Sequence, residues 1–284
     1  MSPATDRCAT VEEVMPVVAL KRGMSGPEVL ALQKVLAEHG FSPGAFDSEY
    51  GAGTEAAVMA FQSSEGLLAD GIAGSRTRTR LGLATDPTLP DVSGSVSCQV
   101  VSQMFPVTPL GNIKANLPCV LSALRQRSLA DRSMVLMALA TIRAEAELFL
   151  PLSEGLSRFN TSPNGHAFDL YDWRKDLGNT GPPDGERYKG RGFVQLTGRA
   201  NYRRYGPMLA KPVNLEANPD FAADPIVAAE LLALFLGDHE RDIKQALVRK
   251  DLPAARRLVN GGLHGLDRFT DAFQRGNALI SDLM

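Results

Sequence analysis

Two glutamates nine residues apart, Glu145 and Glu154, bracket a proline at position 151. On an unbroken helix a separation of nine puts two side chains on opposite faces. Pro151 must end or kink such a helix, which lets the chain turn and bring Glu154 back across a cleft. Two carboxyls facing one cleft can hydrolyse a glycosidic bond, one protonating the leaving oxygen, the other activating water or acting as nucleophile. Two glutamates near a helix end are more often simply solvated surface. Glu145 shares a helical stripe with Met134 and Ala138, which draws it toward a half-buried setting. Burial of that kind favours the protonated form a general acid needs. Glu147 falls on another stripe, with Leu136 and Arg143, and reads as a structural ion pair with Arg143.

A second polar group lies in the run from Tyr188 to Tyr202. Gly190-Arg191-Gly192 allows close backbone approach. Gln195, Thr197 and Asn201 offer the amide and hydroxyl groups that read sugar hydroxyls and N-acetyl groups. Turn chemistry and helix capping account for the same residues equally well. His166 has no paired Cys or His and makes no metal site. Ser157, Ser162 and the histidines form no nucleophile motif. Arg203-Arg204 and Arg256-Arg257 read as solvated helix faces.

The elements that must position these groups are mostly helices. Apolar periodicity predicts helices over residues 113–127, 131–148, 199–209, 225–236, 238–248, 252–259 and 266–283. The Gly- and Pro-containing span 153–192 interrupts them, and a loop of that length in a compact domain usually carries function. Upstream, residues 20–83 read as a separate small helical unit. Ser25 with Glu28 fits a capping box, Gly40 ends the first helix, and Asp70-Gly71 marks a tight turn. An apolar run ending in Gln occurs twice, at Gln33 and at Gln62, too short an echo to be a repeat array. Between the units the chain turns to linker chemistry over residues 84–97, with Thr85, Pro87, Pro90, Ser93, Gly94 and Ser95.

The chain of 284 residues is 44% hydrophobic and 22% charged, so it can bury a sizeable core. Thirty Lys and Arg against 32 Asp and Glu give a net charge of −2, which argues against a nucleic-acid partner. No apolar stretch is long enough for a membrane span. Residues 1–20 lack the basic and apolar regions of a secretory signal. Cys8, Cys98 and Cys119 are an odd, widely spaced set that reads as free thiols. With no heptad pattern, a monomer is expected.

Two resemblances join these pieces. Residues 20–83 carry L-x-x-G-x-x-G-x-x-V-x-x-L-Q, then T-x-x-A-V-x-x-F-Q, then L-x-x-D-G-I-x-G-x-x-T. That pattern is similar to the three-helix peptidoglycan-binding module found on many wall hydrolases. One departure is Asp47-Ser48 where the family usually has Asp-Gly, and losing that glycine is expected to stiffen the loop or weaken binding. In the second unit, Gly190-Arg191-Gly192, Gln195-Leu196-Thr197 and Asn201-Tyr202, followed by Asn218-Pro219-Asp220 with Asp224-Pro225 and by Val259-Asn260-Gly261-Gly262, resemble the ordered motifs of family 19 chitinases and related phage endolysins.

The resemblance implies a mainly α protein: residues 1–19 as an extension, 20–83 as a wall-binding domain, 84–97 as linker, and 98–284 as a larger lysozyme- or chitinase-like catalytic domain. It implies Glu145 as general acid, although its flanks, Ala144 and Ala146, differ from the family's His-Glu-Thr. It implies Glu154 as base, with Asp169 or Asp172 as the fallback. Thr197 would help hold the attacking water. Gln195, Asn201, Tyr202, Asn260 and Arg191 would touch substrate. The implied activity is inverting cleavage of the β-1,4 bond between N-acetylmuramic acid and N-acetylglucosamine in peptidoglycan. Inversion expects carboxyls roughly 6.5–9.5 Å apart. No cofactor, metal, nucleic acid or stable membrane partner is implied, and release to the wall through a holin is. Chitin hydrolysis, lytic transglycosylation and wall binding without catalysis are the competing readings.

Overall fold

The computed structural model describes residues 19–83 and 89–281. The chain divides into two compact units, Met1–Thr88 and Leu89–Met284. Both are mainly α-helical. No helix among the described residues is long and apolar enough to cross a membrane.

The first unit holds α1 (Pro27–Glu38), α2 (Ala52–Ser64) and α3 (Ser75–Arg80) around a core of Leu20, Val29, Leu32, Leu36, Tyr50, Val58, Phe61 and Leu81. The capping box expected at Ser25 and Glu28 is absent. Gly26 is the N-cap at φ 132°, Pro27 opens the helix, and no side chain caps it. Ser25 is instead bridged to Glu49, and Gly26 N–H donates to Ser48 O at 2.9 Å. Proline at the first helical position lacks one of the amide protons a cap would otherwise satisfy.

The echo at Gln33 and Gln62 is a duplicated hydrogen-bond clasp. Gln33 Nε2 donates to Asp47 Oδ1 (2.8 Å), Glu49 O (3.0 Å) and Thr54 Oγ1 (3.2 Å), and its Oε1 accepts from Ser48 N (3.1 Å). Gln62 Nε2 donates to Asp70 Oδ1 (2.9 Å), Ile72 O (2.9 Å) and Thr77 Oγ1 (3.1 Å), and its Oε1 accepts from Gly71 N (2.9 Å). The sequence signal is Asp-x-x-x-Gly-x-x-Thr, present at Asp47, Gly51 and Thr54 and again at Asp70, Gly74 and Thr77. Both glutamines are buried, so each clasp satisfies polar groups that would otherwise be costly to bury.

The clasps differ in the residue whose amide the glutamine oxygen accepts, Ser48 in one and Gly71 in the other. Gly71 sits at φ 69° and Ser48 at φ 66°, the left-handed region that a side chain disfavours. Ser48→Gly is therefore expected to stabilise this unit by roughly 0.5–1 kcal/mol, after allowing for glycine's entropy in the unfolded chain. Urea unfolding of the full chain measures it, and an unchanged or lowered first-unit transition contradicts the assignment.

In the second unit α4 (Cys98–Met104), α5 (Leu110–Gln126) and α6 (Arg132–Glu145) are followed by β1 (Leu152–Ser153), α7 (Asp184–Arg187), β2 (Arg191–Gly192) and α8 (Arg199–Tyr205). Then come α9 (Pro225–Asp238), α10 (Glu240–Val248), α11 (Leu252–Asn260) and α12 (Leu266–Leu279). Aspartates start three of these helices: Asp131 accepts from Met134 N, Asp224 from Ile226 N and Val227 N, and Asp251 from Ala254 N. Helix α6 is the axis, with every residue from Met134 to Ala144 buried. It packs on α9, α10 and α12. Gly276 lets α12 approach closely, since a Cβ there would lie 2.6 Å from Leu136 Cδ2 and from Met104 Cε. Strands β1 and β2 pair antiparallel, Leu152 opposite Gly192 and Ser153 opposite Arg191.

Two expectations need correction here. Residues 89–97, linker by composition, belong to the folded unit: Val92 and Val96 are buried in its core and Ser93–Ser95 form a 3-10 turn. Residues 84–88 and 1–18, with Cys8, lie outside the described residues, and Cys98 and Cys119 are free thiols.

The second correction concerns the end of α6. The helix stops at Glu145, well before Pro151. Side chains from upstream take the next carbonyls: Thr108 Oγ1 donates to Glu147 O, Asn112 Nδ2 to Leu148 O (2.9 Å) and Asn116 Nδ2 to Phe149 O (3.0 Å). Phe149, at φ 55°, is locked between Phe105 and Phe193. Asn116→Ala leaves the buried Phe149 carbonyl unpaired and is expected to cost about 1–3 kcal/mol in a denaturant titration. A loss below about 0.5 kcal/mol would show that the turn does not depend on this tie.

Candidate active site

The predicted residues fall into two groups within the second unit. The first forms around Glu145, at the C-terminal end of α6. Its side chain is 13% exposed and its Oε1 accepts from Arg256 Nη2. Arg256, expected on a solvated face, is fully buried; its companion Arg257 is exposed. The reason is charge pairing: Arg256 Nε and Nη2 also donate to His264 O at 3.1 and 2.8 Å. Its Nη1 is buried with no partner. Asn260, the last residue of α11, donates through Nδ2 to the same His264 O at 3.3 Å. Gly261 closes α11 at φ 66°, and Gly265, at φ 68°, lies against the end of α6, where a Cβ would meet Ala144 O at 3.2 Å. The Val259-Asn260-Gly261-Gly262 segment is thus folded onto Glu145 through Arg256 and a shared carbonyl.

Glu147 takes the structural role expected of it. It pairs with Arg143 and, at 3.0 Å, with Arg268. The Arg143 hydrogen bond, together with Arg268, holds its carboxyl below the usual glutamate range.

The second group surrounds Glu154, which is half-buried where β1 meets the loop before β2. Its backbone N–H donates to Gly190 O at 2.7 Å, and Gly190 N–H donates back to Glu154 Oε2 at 3.1 Å. Oε1 accepts from Asn160 Nδ2 and from Tyr171 Oη, both at 2.9 Å. Gly190 is the hub. A Cβ on it would lie 2.9 Å from Gln195 Oε1, 3.1 Å from Glu154 Oε2 and 3.2 Å from Thr197 Oγ1. Thr197 Oγ1 donates to Gln195 O at 2.8 Å. Gln195 spends both amide protons on backbone, on Leu152 O and Gly192 O at 2.9 Å each, which ties β1 to β2. Only its carbonyl oxygen faces the site. Asn201 Nδ2 donates to Thr197 O at 2.8 Å and so fixes the threonine.

Two expected substrate contacts are core residues. Tyr202 is fully buried; its hydroxyl donates to Lys189 O at 2.7 Å and accepts from Arg191 at 3.1 Å. Burial pushes this phenol up to about 12. Arg191 is 5% exposed and spans Arg187 O, Tyr202 and the Asp220 carboxylate, 2.9 Å away. Neither side chain has surface to offer a sugar. Both hold the Gly190 turn in shape.

The fallback bases are engaged elsewhere. Asp169 receives Ser162 N–H at 2.7 Å and the Ser162 hydroxyl, which hold its carboxyl low. Asp172 is buried, accepts Gly185 N–H at 2.9 Å and faces His166 Nε2 at 3.0 Å. Among the described residues no group of three or more His, Cys, Asp or Glu is placed to hold a metal ion. Asn160 and Tyr171 are the residues that the reading of the sequence missed. They lie in the loop-rich span, outside every motif, and no periodicity marks them. Leu156, Phe159 and Trp173 in the same span are exposed apolar side chains.

The fold and paired clasps make the first unit a small three-helix module. Residues 25–81 match the model of the putative peptidoglycan binding domain. Over 66 residues the chain is 42% identical to spore cortex-lytic enzymes of Bacillus cereus, a stretch that is 23% of this chain and 26% of theirs. The chain therefore spans about a quarter of the length of these curated relatives. Among solved structures, chitinase C from Streptomyces griseus HUT6037 is similar at TM-score 0.44 and 21% identity, over 66% of this chain and 76% of that one. A bacterial family 19 chitinase is similar at TM-score 0.43 and 19% identity, over 66% and 97%. A Burkholderia AP3 phage endolysin aligns at TM-score 0.25 and 20% identity, over 92% and 100%.

Proposed function

We propose that this chain is a modular peptidoglycan hydrolase. The first unit holds it on the wall and raises the local substrate concentration. The second cleaves the β-1,4 bond between N-acetylmuramic acid and N-acetylglucosamine, as a phage endolysin would during host lysis. Glu145 protonates the leaving oxygen. Glu154 takes a proton from water, whose oxygen attacks the anomeric carbon from the opposite face, and Thr197 helps hold that water. The outcome is inversion. The observation that carries this reading is the Glu154 carboxylate, fixed by three donors beside Thr197 and Gln195. In the free protein Glu145 accepts from Arg256, so the approach of a glycosidic oxygen has to draw it out of that pair.

Digestion of purified peptidoglycan in ordinary and ¹⁸O water, followed by mass spectrometry, tests the reading. Muropeptides ending in reducing N-acetylmuramic acid that carries the heavy oxygen are expected. Unlabelled anhydro-muropeptides would make the chain a lytic transglycosylase and leave Glu154 without its role as base. A folded protein that releases nothing from walls but cleaves chitin would move the substrate to N-acetylglucosamine polymers.

A further inference from the structure

We infer that Tyr171 and Asn160 are positioning residues for Glu154 that leave a single oxygen position, on Oε2, free to take the proton. The inference rests on Glu154 as the base. An ionised carboxylate has about four lone-pair directions, two on each oxygen. Oε1 is filled by Asn160 Nδ2 and Tyr171 Oη. On Oε2 one direction is taken by Gly190 N–H. Among the described residues the fourth direction, on Oε2, receives no donor, and this is the oxygen that shares the Gly190 hub with Thr197 Oγ1 and Gln195 Oε1. A water held there gives its proton to Glu154 Oε2 as its oxygen bonds to the anomeric carbon. The bond from the anomeric carbon to the glycosidic oxygen breaks as Glu145 gives that leaving oxygen its proton.

Both supports are themselves immobilised. Asn160 is fully buried with every polar atom used: Nδ2 also donates to Gly155 O (2.9 Å), and Oδ1 accepts from Ser157 N (2.8 Å) and Thr161 Oγ1 (2.9 Å). Tyr171 ends a 3-10 turn (Asp169–Tyr171). Its carbonyl accepts from Asn179 Nδ2 at 2.8 Å, and Leu170 N–H donates to Asn160 O at 3.3 Å, joining the two supports through the backbone. The turn is pinned on either side by Asp169 on Ser162 and by Asp172 on Gly185 and His166. Burial, and then the Glu154 charge, push the Tyr171 phenol up to about 12, so it stays a donor at any working pH. Hydrogen bonds to a charged carboxylate stabilise that form and fix its orientation.

The test is Tyr171→Phe in the full chain, assayed for kcat and KM on purified walls, with Glu154→Gln alongside. The brace predicts kcat lower by about 10–50-fold with KM within about twofold, because the base loses a donor that fixes its orientation while the substrate contacts are untouched. Asn160→Ser removes the other donor and is expected to show the same signature, so the inference stays testable if one variant folds poorly. A purely structural role would lower the unfolding midpoint and leave the kcat of the folded variant at the parental value. An unchanged kcat in either folded variant overturns the brace while Glu154→Gln stays inactive. Activity surviving in Glu154→Gln overturns the base assignment itself, whatever the other variants do.

Discussion

Glu145→Gln is expected to slow wall digestion by about 10²–10⁴-fold, the range that a general acid supplies. Glutamine keeps an oxygen for Arg256 but has no proton to give. It also removes the countercharge of a fully buried guanidinium whose other partner is the His264 carbonyl. A buried charge that loses its partner costs about 3–5 kcal/mol when nothing replaces it, and the amide oxygen offsets part of this. Rates must therefore be compared below the unfolding midpoints of both proteins. Undiminished lysis by a folded variant removes Glu145 from the chemistry.

Gly190→Ala should be nearly as damaging to turnover and far gentler on stability. The new methyl would begin 2.9–3.2 Å from three side-chain oxygens, those of Gln195, Glu154 and Thr197. Each sits at the end of a side chain and can give way by a few tenths of an ångström. The fold is expected to survive, with an unfolding midpoint within a few degrees of the parent. The carboxylate and the threonine cannot give way and keep their relation to one water. Misplacement on that scale costs on the order of 10²-fold in kcat. A folded Gly190→Ala protein with parental kcat would show that the hub does not set the geometry of the reaction.

Much of the fold is legible because helices write themselves in apolar spacing. The predicted helix over 225–236 is observed as Pro225–Asp238, and that over 252–259 as Leu252–Asn260, each opened by an aspartate and a proline near its start. The end of α6 was not legible. Pro151 is the visible helix breaker, yet Thr108, Asn112 and Asn116 end the helix earlier from about 35 residues upstream. Such long-range ties leave no local pattern. Arg256 misled for a related reason: an Arg-Arg pair on an amphipathic helix looks solvated until a carboxylate from another helix is placed against it. At the candidate site, Glu154, Gln195 and Thr197 stand in recognisable spacings. Tyr202 stands in one too, and the structure sends it into the core. Asn160 and Tyr171 carry no spacing signal, because their roles come from a loop whose course is set by Asp169 and Asp172.

The unbroken burial from Met134 to Ala144 puts the two glutamates under different structural constraints. Glu145 ends a helix in which no position from Met134 to Ala144 is free to change without opening a cavity or forcing a clash. Its placement is set by the core. Glu154 is held by a surface span whose neighbours Leu156, Phe159 and Trp173 face solvent. Substitutions at those three exposed positions cost little stability, unlike those at the buried Asn160 and Asp172. The exposed positions of that span can thus be varied around Glu154 while the residue at the end of α6 stays where the core puts it.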